Sequence, residues 1–385
     1  MFCYHCMNLC THTVCEHCGF DPSSYVDLPV ALRPGTTLKD NYILGYVIGS
    51  GGFGITYIGY DNRNSRRVAI KEFFPSSVVQ RDPAQTNEVC VLANMDRVYQ
   101  TGVKKFYLEA SILSRVQYVP AIVKVYDFFY ENNTAYIVME YIDGTSIDKI
   151  VKNQGPLEID MVLTIYYPIL EVLKAVHAEG ILHRDIAPNN VLLDERFRAR
   201  LIDFGASRAY SHQLSSDMTI ILKSGFAPVE QYTRREHHSP AEDIYALSAS
   251  MYYTLTGKIP PEATERLAFD TLKPFSAYGA SVPEAIGNVI LKGLAVRVEE
   301  RYGSAEEMML AIDQALSVPA VLPDTEAALP ERKTERPEKP SGRTKKSGEK
   351  TSSVRSGNLP YLLAIVVCGA LFLVMLILLA SLLLG

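Results

Sequence analysis

Residues 183–190 of the chain read His-Arg-Asp-Ile-Ala-Pro-Asn-Asn, and residues 203–205 read Asp-Phe-Gly. Two short runs lie between these segments, at Val191–Leu193 and Arg200–Ile202. We predict that both runs are strands, because their length and apolar content are typical of short strands. Two polar motifs that each contain an aspartate therefore flank a short pair of strands, and the interpretation of the chain begins from them.

A glycine-rich segment precedes these motifs in the chain. Residues 48–54 read Ile-Gly-Ser-Gly-Gly-Phe-Gly and lie between two predicted strands, Tyr42–Ile48 and Ile55–Tyr60. The glycine loop of a dinucleotide-binding Rossmann unit opens a helix, whereas this loop continues as a strand. A glycine loop between two strands can lay its backbone N–H groups over phosphates. A third predicted strand, Arg67–Lys71, then ends in a lysine.

The apolar pattern changes from strand-like to helical along the chain. A helix is predicted at residues 103–116, and strands are predicted at Ile122–Tyr130 and Ala135–Tyr141. Beyond Gly144 the spacing indicates a helix of about 20 residues, despite Pro168 within it. Its apolar residues at helical spacing are Met161, Ile165, Ile169, Val172 and Val176. A small β-rich lobe followed by a larger helical lobe is therefore expected.

In their order and spacing, the glycine loop, Lys71 and the two aspartate motifs resemble the eukaryotic-type protein kinase family. The segment Gly225–Tyr232 is similar to the substrate-binding P+1 segment of bacterial-style serine/threonine kinases, a branch that often carries a zinc ribbon and one membrane span. The resemblance covers residues 41–316. It implies an α+β, bilobal protein-kinase fold with a β-rich N-lobe at 41–143 and a helical C-lobe at 144–316.

The resemblance implies a role for each catalytic residue. Phosphoryl transfer needs positioning and charge neutralisation more than covalent catalysis. Asp185 would accept the proton of the attacking hydroxyl, and Asn190 and Asp203 would bind Mg²⁺ or Mn²⁺. Lys71 would bind the α- and β-phosphates of ATP while paired with a carboxylate on a helix, for which Glu109 is the first choice.

The remaining contacts to ATP follow from the same resemblance. Met139 is the gatekeeper, and the backbones of Glu140 and Ile142 would bond adenine. Because the interval from Lys71 to the helix is long, residues 75–102 are predicted to form an insertion, and Glu88 within it is the second choice as the lysine's partner. The residues expected at the nucleotide are Ile48, Gly49, Ser50, Gly51, Gly52, Phe53, Gly54, Thr56, Ala69, Lys71, Met139, Glu140 and Ile142.

The catalytic loop departs from the family at one position. Serine/threonine kinases have a lysine two residues after the catalytic aspartate, where it contacts the γ-phosphate, but this chain has Ala187. Tyrosine kinases restore a cation two residues later, where this chain has Asn189. Alignment backwards from Glu230 places Lys223 near the missing charge, and we hypothesise that Lys223 replaces it. The alternative is that Lys223 is a solvated loop lysine.

Three further roles follow from the resemblance. The segment 206–226 is expected to carry a phosphorylated hydroxyl, with Thr219 as the first choice among Ser211, Ser215, Ser216, Thr219 and Ser224. Arg301 is expected to form a buried bridge with Glu230. Asp243 is expected to brace the catalytic loop.

Five of the seven cysteines lie in the first 18 residues. No signal peptide precedes them, so a metal site is favoured over a disulfide framework. Two Cys-x2-Cys pairs can hold one Zn²⁺ tetrahedrally, which predicts a structural zinc ribbon at residues 1–20, followed by a connector at 21–40. The predicted ligands are Cys3, Cys6, Cys15 and Cys18, and Cys10, His5, His12 or His17 could substitute for one of them.

The C-terminal residues predict a membrane anchor. Residues 317–358 are charged and poor in large apolar residues, which predicts a disordered linker. Tyr361–Leu384 carries no charge over 24 residues, enough for one transmembrane helix within 359–385. The basic cluster at 341–358 predicts a cytoplasmic N-terminus and kinase domain at the cell membrane, although it could also hold anionic lipid. Ala364 and Cys368 form a small-residue pair that could support a homodimer.

Composition leaves two classes of function open. Hydrophobic residues make up 48% of the chain, so it is not wholly disordered, and a net charge of −5 gives no reason to expect nucleic-acid binding. The first reading is a membrane-tethered kinase that transfers the γ-phosphate of ATP to serine or threonine hydroxyls of proteins, including itself. The alternative is a pseudokinase that binds ATP and signals through its zinc ribbon, which Ala187 favours.

Overall fold

The computed structural model describes residues 2–82, 84, 86–204, 223–232 and 238–317. These residues lie within one unit of the chain, residues 1–320. The first part contains a six-stranded antiparallel sheet with the strand order β1-β2-β3-β4-β8-β7. Its strands are β1 Thr37–Leu38, β2 Tyr42–Gly51, β3 Gly54–Asp61, β4 Arg66–Phe73, β7 Val125–Glu131 and β8 Thr134–Glu140. The predicted β-rich lobe is therefore present.

One long helix packs on this sheet. Helix α1 spans Asp96–Val116, so it begins seven residues before the predicted start. Phe73 of β4 contacts two rings of the helix, those of Tyr99 and Phe106, with centroids 5.7 and 5.4 Å apart. The predicted insertion is correspondingly shorter and contains a small hairpin of β5 Val79–Gln80 and β6 Cys90–Val91.

The second part of the fold is helical. Helix α3, Ile159–Ala178, passes through Pro168 as predicted, and every residue of the central helix α4, Ala241–Thr256, is buried. A three-stranded sheet in the order β11-β10-β9 lies at the start of this lobe and carries the catalytic loop before β10. The elements are α2 Ile147–Gln154, α3 Ile159–Ala178, α4 Ala241–Thr256, α5 Ala263–Ala268, α6 Glu284–Gly293, α7 Ala305–Ser317, β9 Gly144–Ser146, β10 Val191–Asp194 and β11 Ala199–Leu201.

The segment predicted as a connector, residues 21–40, is packed against the sheet. Thr37 and Leu38 pair with β2 as strand β1, and Leu32 and Leu38 belong to the hydrophobic core. The backbone N–H of Leu32 donates to the Tyr57 hydroxyl at 3.0 Å. The N-lobe therefore extends several residues toward the N-terminus of its predicted start.

A buried ion pair joins the sheet to the insertion. The Glu72 carboxylate on β4 accepts two hydrogen bonds from the Arg81 guanidinium, at 2.6 and 2.7 Å. It also accepts from the hydroxyls of Tyr57 and Tyr136, and burial beside this carboxylate raises the pKa of both phenols. The Arg81 guanidinium donates in addition to the Val30 carbonyl oxygen at 2.8 Å. These hydrogen bonds and the pairing of opposite charges together offset the free-energy cost of removing both charged groups from water.

No helix among the described residues is long and apolar enough to cross a membrane. The predicted span at 361–384 and the predicted linker lie outside the described residues, apart from Ser317 at the end of α7.

The ion pair generates a prediction about stability. Arg81→Met should lower the free energy of unfolding by about 3–5 kcal/mol, because it leaves the Glu72 carboxylate buried without its cation. Arg97→Met, at an exposed position on α1, should change it by about 0.5 kcal/mol or less. Urea unfolding of the purified variants measures both values. Equal losses in the two variants would contradict the buried-pair account.

Candidate active site

A single carboxylate holds the catalytic loop. Asp243, fully buried in α4, accepts hydrogen bonds from the backbone N–H groups of His183 and Arg184 at 2.8 and 2.7 Å. His177 Nε2 lies 2.8 Å from the same carboxylate. Burial alone would raise the pKa of Asp243, but the bonded His177 and the neighbouring groups hold it below its usual value. The predicted brace is confirmed.

The loop presents its aspartate beside the buried Asn190. Asn190 Nδ2 donates to the backbone oxygen of Asp185 at 2.8 Å and to Asp185 Oδ2 at 2.9 Å. Arg184, the residue before the aspartate, has a φ of 60°, in the left-handed region that L-residues seldom occupy. This strained backbone and the amide together fix the direction of the carboxylate.

Lys71 and Asp203 form an ion pair across the cleft. Lys71 Nζ lies 2.9 Å from Asp203 Oδ1. Burial alone would lower the pKa of Lys71, but the charges of Asp203 and Glu109 outweigh it and raise that pKa. Lys71 in turn holds the pKa of Asp203 below its usual value. The pairing of Lys71 with Glu109 stays a prediction, and Glu88 lies before β6, outside α1.

Lys223 lies at Asp185, the predicted catalytic aspartate. Its Nζ is 3.1 Å from Asp185 Oδ2 and 3.0 Å from Asn189 Oδ1. The segment that carries Lys223 is anchored at Glu230, which forms the predicted buried ion pair with Arg301 at 3.2 Å. The structure therefore places a cation beside Asp185, two residues before Ala187 in the chain. Sequence reasoning missed the Asn189 side chain as a partner of this lysine.

The glycine loop joins β2 to β3. A side chain at Gly54 would meet the Glu72 backbone oxygen at 2.7 Å, so this glycine is required by close packing. Gly49, Gly51 and Gly52 have open space where a side chain would stand and have no positive φ. Neither packing nor backbone conformation requires glycine at these three positions. Glycine there leaves the loop backbone uncovered, so a ligand can approach it closely.

The predicted nucleotide residues of the sheet share one face. Thr56 lies opposite Lys71, and Ala69 lies opposite Met139 in the antiparallel register. Since side chains alternate along a strand, these four residues lie on the same side of the sheet. The Glu140 N–H donates to the Lys124 oxygen at 2.8 Å, so an adenine contact at this residue would use its carbonyl oxygen.

A family model described as "Protein kinase domain" matches residues 42–308. The chain belongs to the protein kinase family. It is 30% identical over 298 residues to serine/threonine-protein kinase PknA of Nostoc sp., which covers 74% of this chain and 49% of that protein. It is also 30% identical over 288 residues to serine/threonine-protein kinase PrkC of Bacillus subtilis, covering 73% of this chain and 41% of that protein.

The solved structure titled "PpkA-294 apo form" is similar to this kinase at 30% identity and a TM-score of 0.65, covering 74% of this chain and 99% of that chain. The kinase spans about half the length, or less, of the curated relatives described above. These similarities show a bacterial-type serine/threonine kinase domain, and the bilobal fold expected from the motifs is confirmed.

The kinase carries a four-cysteine cluster near its N-terminus. The sulfur atoms of Cys3, Cys6, Cys15 and Cys18 all lie within 4.8 Å of one another. The Cys3–Cys18 and Cys6–Cys15 sulfur distances are both 3.8 Å. Zinc–sulfur bonds of about 2.3 Å in a tetrahedron require sulfurs about 3.8 Å apart, so these four thiols fit Zn²⁺.

Two of the residues left open as substitute ligands have other contacts. His17 Nε2 lies 3.0 Å from the Leu9 oxygen, and the His5 ring stacks on Phe20 with centroids 4.3 Å apart. Cys10 is buried against the cluster but its sulfur is not one of the four that lie together.

Thr219 and Gly205 lie outside the described residues.

The position of Lys223 gives a prediction about turnover. Lys223→Met should lower kcat by about 100-fold, because one cation is lost where charge develops in the transition state. Lys258→Met, at an exposed lysine, is the matched control and should retain wild-type kcat. Ala187→Lys added to Lys223→Met should restore part of the activity. Steady-state assays measure all three, and a loss of less than about threefold in Lys223→Met would overturn the role.

Proposed function

We propose that the chain is an active kinase that transfers the γ-phosphate of ATP to serine or threonine hydroxyls of proteins, including its own. The contacts at Asp185 carry this proposal. One carboxylate oxygen is bonded by Asn190 and lies 3.1 Å from Lys223 Nζ. A base held beside a cation is what phosphoryl transfer to a hydroxyl requires.

Each residue has a task in this reaction. Asp185 orients the substrate hydroxyl and accepts its proton, while Lys223 stabilises charge on the transferred group. Asp203 and Asn190 offer a carboxylate and an amide oxygen, the hard ligands that Mg²⁺ prefers, and Mg²⁺ bound there would neutralise phosphate charge. Lys71, which pairs with Asp203 at 2.9 Å, would turn to the α- and β-phosphates.

Phosphate transfer by the purified full-length chain tests this function. With Mg-ATP, the chain should label itself and a generic protein substrate on serine or threonine, and Asp185→Asn should abolish both signals. Asp160→Asn, at an exposed carboxylate in the first turn of α3, should leave transfer unchanged. ATP binding without transfer in folded wild-type protein would contradict the proposal and favour the pseudokinase.

We propose further that residues 2–20 form a ribbon around one structural Zn²⁺. The sulfur spacing supports this, as does the short length of the segment, since about 20 residues cannot build a sufficient hydrophobic core. With four protein ligands the site is closed, so the ion would have no catalytic position. One zinc ion per chain by elemental analysis, lost in Cys15→Ser, is the expected result.

A single membrane span at residues 361–384 is also proposed, with the kinase domain on the cytoplasmic side. The uncharged run and the basic residues before it support this topology. The full chain should stay with membranes after alkaline extraction, whereas a chain ending at residue 358 should be released. Release of both chains would contradict the anchor.

Self-association through Ala364 and Cys368 would appear as crosslinked dimers of the full chain alone.

A further inference from the structure

The N-terminal ribbon is attached to the strand that enters the glycine loop. The backbone N–H of Tyr46 on β2 donates to the Tyr4 carbonyl oxygen at 2.8 Å. The Tyr46 ring contacts three aromatic rings of the N-terminal segment, those of Tyr4, Phe20 and Tyr25, with the Tyr25 ring stacked at 3.8 Å. The ribbon therefore contacts the N-lobe next to the ATP site.

Strand β2 is irregular at this contact. The register with β3 shifts between Leu44 and Val47 and again between Val47 and Gly49. Each shift is a bulge that removes a residue from the ladder, so its N–H needs another partner. The Tyr46 N–H donates to the Tyr4 oxygen, while Val47 stays paired with Tyr57 and its N–H donates to the Tyr25 hydroxyl at 3.2 Å. Both acceptors come from the N-terminal segment.

Met7 anchors the ribbon to the same place. The two Cys-x2-Cys turns are alike: Met7 N–H bonds the Cys3 oxygen and Gly19 N–H bonds the Cys15 oxygen, both at 2.7 Å. Both residues have positive φ, 55° and 69°, a conformation suited to glycine. Met7 accepts this strain and is only 1% exposed. The Met7 side chain therefore contributes a buried contact and does not favour the turn itself.

Gly45 provides the complementary surface on β2. A Cβ there would lie 2.8 Å from Met7 Sδ and would also clash with the Tyr4 carbonyl oxygen and, at 2.8 Å, with Ile58 Cγ2 of β3. Gly35 provides a second gap, since a Cβ at that position would meet the Tyr4 hydroxyl at 2.7 Å. Two glycines thus let the ribbon approach the N-lobe closely.

We propose that the metal-loaded ribbon is a positioning element of the ATP site, and that its metal occupancy sets the affinity of the kinase for ATP. This inference rests on the proposed kinase activity and zinc site. Without metal the ribbon cannot hold its fold, so Tyr4 and Met7 leave β2. Tyr46 of the bulged strand then loses its hydrogen-bond partner, two residues before Ile48 of the glycine loop. The chemical step, at Asp185 in the other lobe, is unaffected.

A matched pair of ribbon variants tests the inference in the full-length chain. Met7→Ala removes the buried anchor, and Leu9→Ala removes an apolar side chain that is 67% exposed. Met7→Ala should raise KM for ATP about fivefold or more, with kcat within about twofold, and Leu9→Ala should change neither. Hydrogen exchange of residues 44–54 should increase in Met7→Ala alone.

Gly45→Ala tests the contact from the kinase side without altering the ribbon. It should retain one zinc per chain, raise KM for ATP and increase exchange of residues 4–7. Chelation of the wild-type chain should reproduce the KM change, and added zinc should reverse it. Unchanged KM and exchange in both Met7→Ala and Gly45→Ala would overturn the inference. A wild-type chain without zinc, or without phosphate transfer, would instead refute the proposed zinc site or the proposed activity.

Discussion

The Asp243 carboxylate lies fully buried in α4 and binds the backbone of the catalytic loop at His183 and Arg184. A buried charge is tolerated because three donors surround it. These bonds also hold Arg184 at a positive φ, a conformation that costs about 1–2 kcal/mol. The direction of Asp185, and with it the geometry of the whole site, depends on a residue from a helix far along the chain.

The site also draws its charges from separate segments. Lys71 comes from the sheet, Asp203 from the segment that follows β11, and Lys223 from the segment anchored by the bridge between Glu230 and Arg301. In kinases with a loop lysine, that cation belongs to the catalytic loop itself. In this chain the proposed replacement, Lys223, comes from the segment 223–232, so the proposal ties catalysis to the placement of that segment.

Sequence reasoning found what local patterns encode. The glycine loop, the strand lysine and the two aspartate motifs are each short local patterns, and their order predicted the two lobes. The brace at Asp243 was predicted from the family resemblance that these motifs carry. The start of α1 was missed because Thr101 and Gly102 have low helix propensity, and packing of Tyr99 on Phe73 outweighs it.

Contacts between distant segments could not be predicted from local patterns, and the pair of Glu230 and Arg301 was predicted only through the family resemblance. Glu72 interrupts an apolar strand, which signals a buried charge, but its partner Arg81 is defined only by the fold of the insertion. The contact between Tyr4 and Tyr46 leaves no local signal either, since two ordinary tyrosines meet across a bulge. The position of Lys223 was accessible only through the resemblance, because spacing alone does not place a loop residue at an active site.

A crystal structure of the kinase with Mg²⁺ and a non-hydrolysable ATP analogue tests the central claim most directly. The account predicts that Lys223 Nζ lies within hydrogen-bond distance of the γ-phosphate. It also predicts that Asp203 and Asn190 bind the metal and that Lys71 contacts the α- and β-phosphates. Lys223 turned to solvent, with no cation in the place left by Ala187, would contradict it.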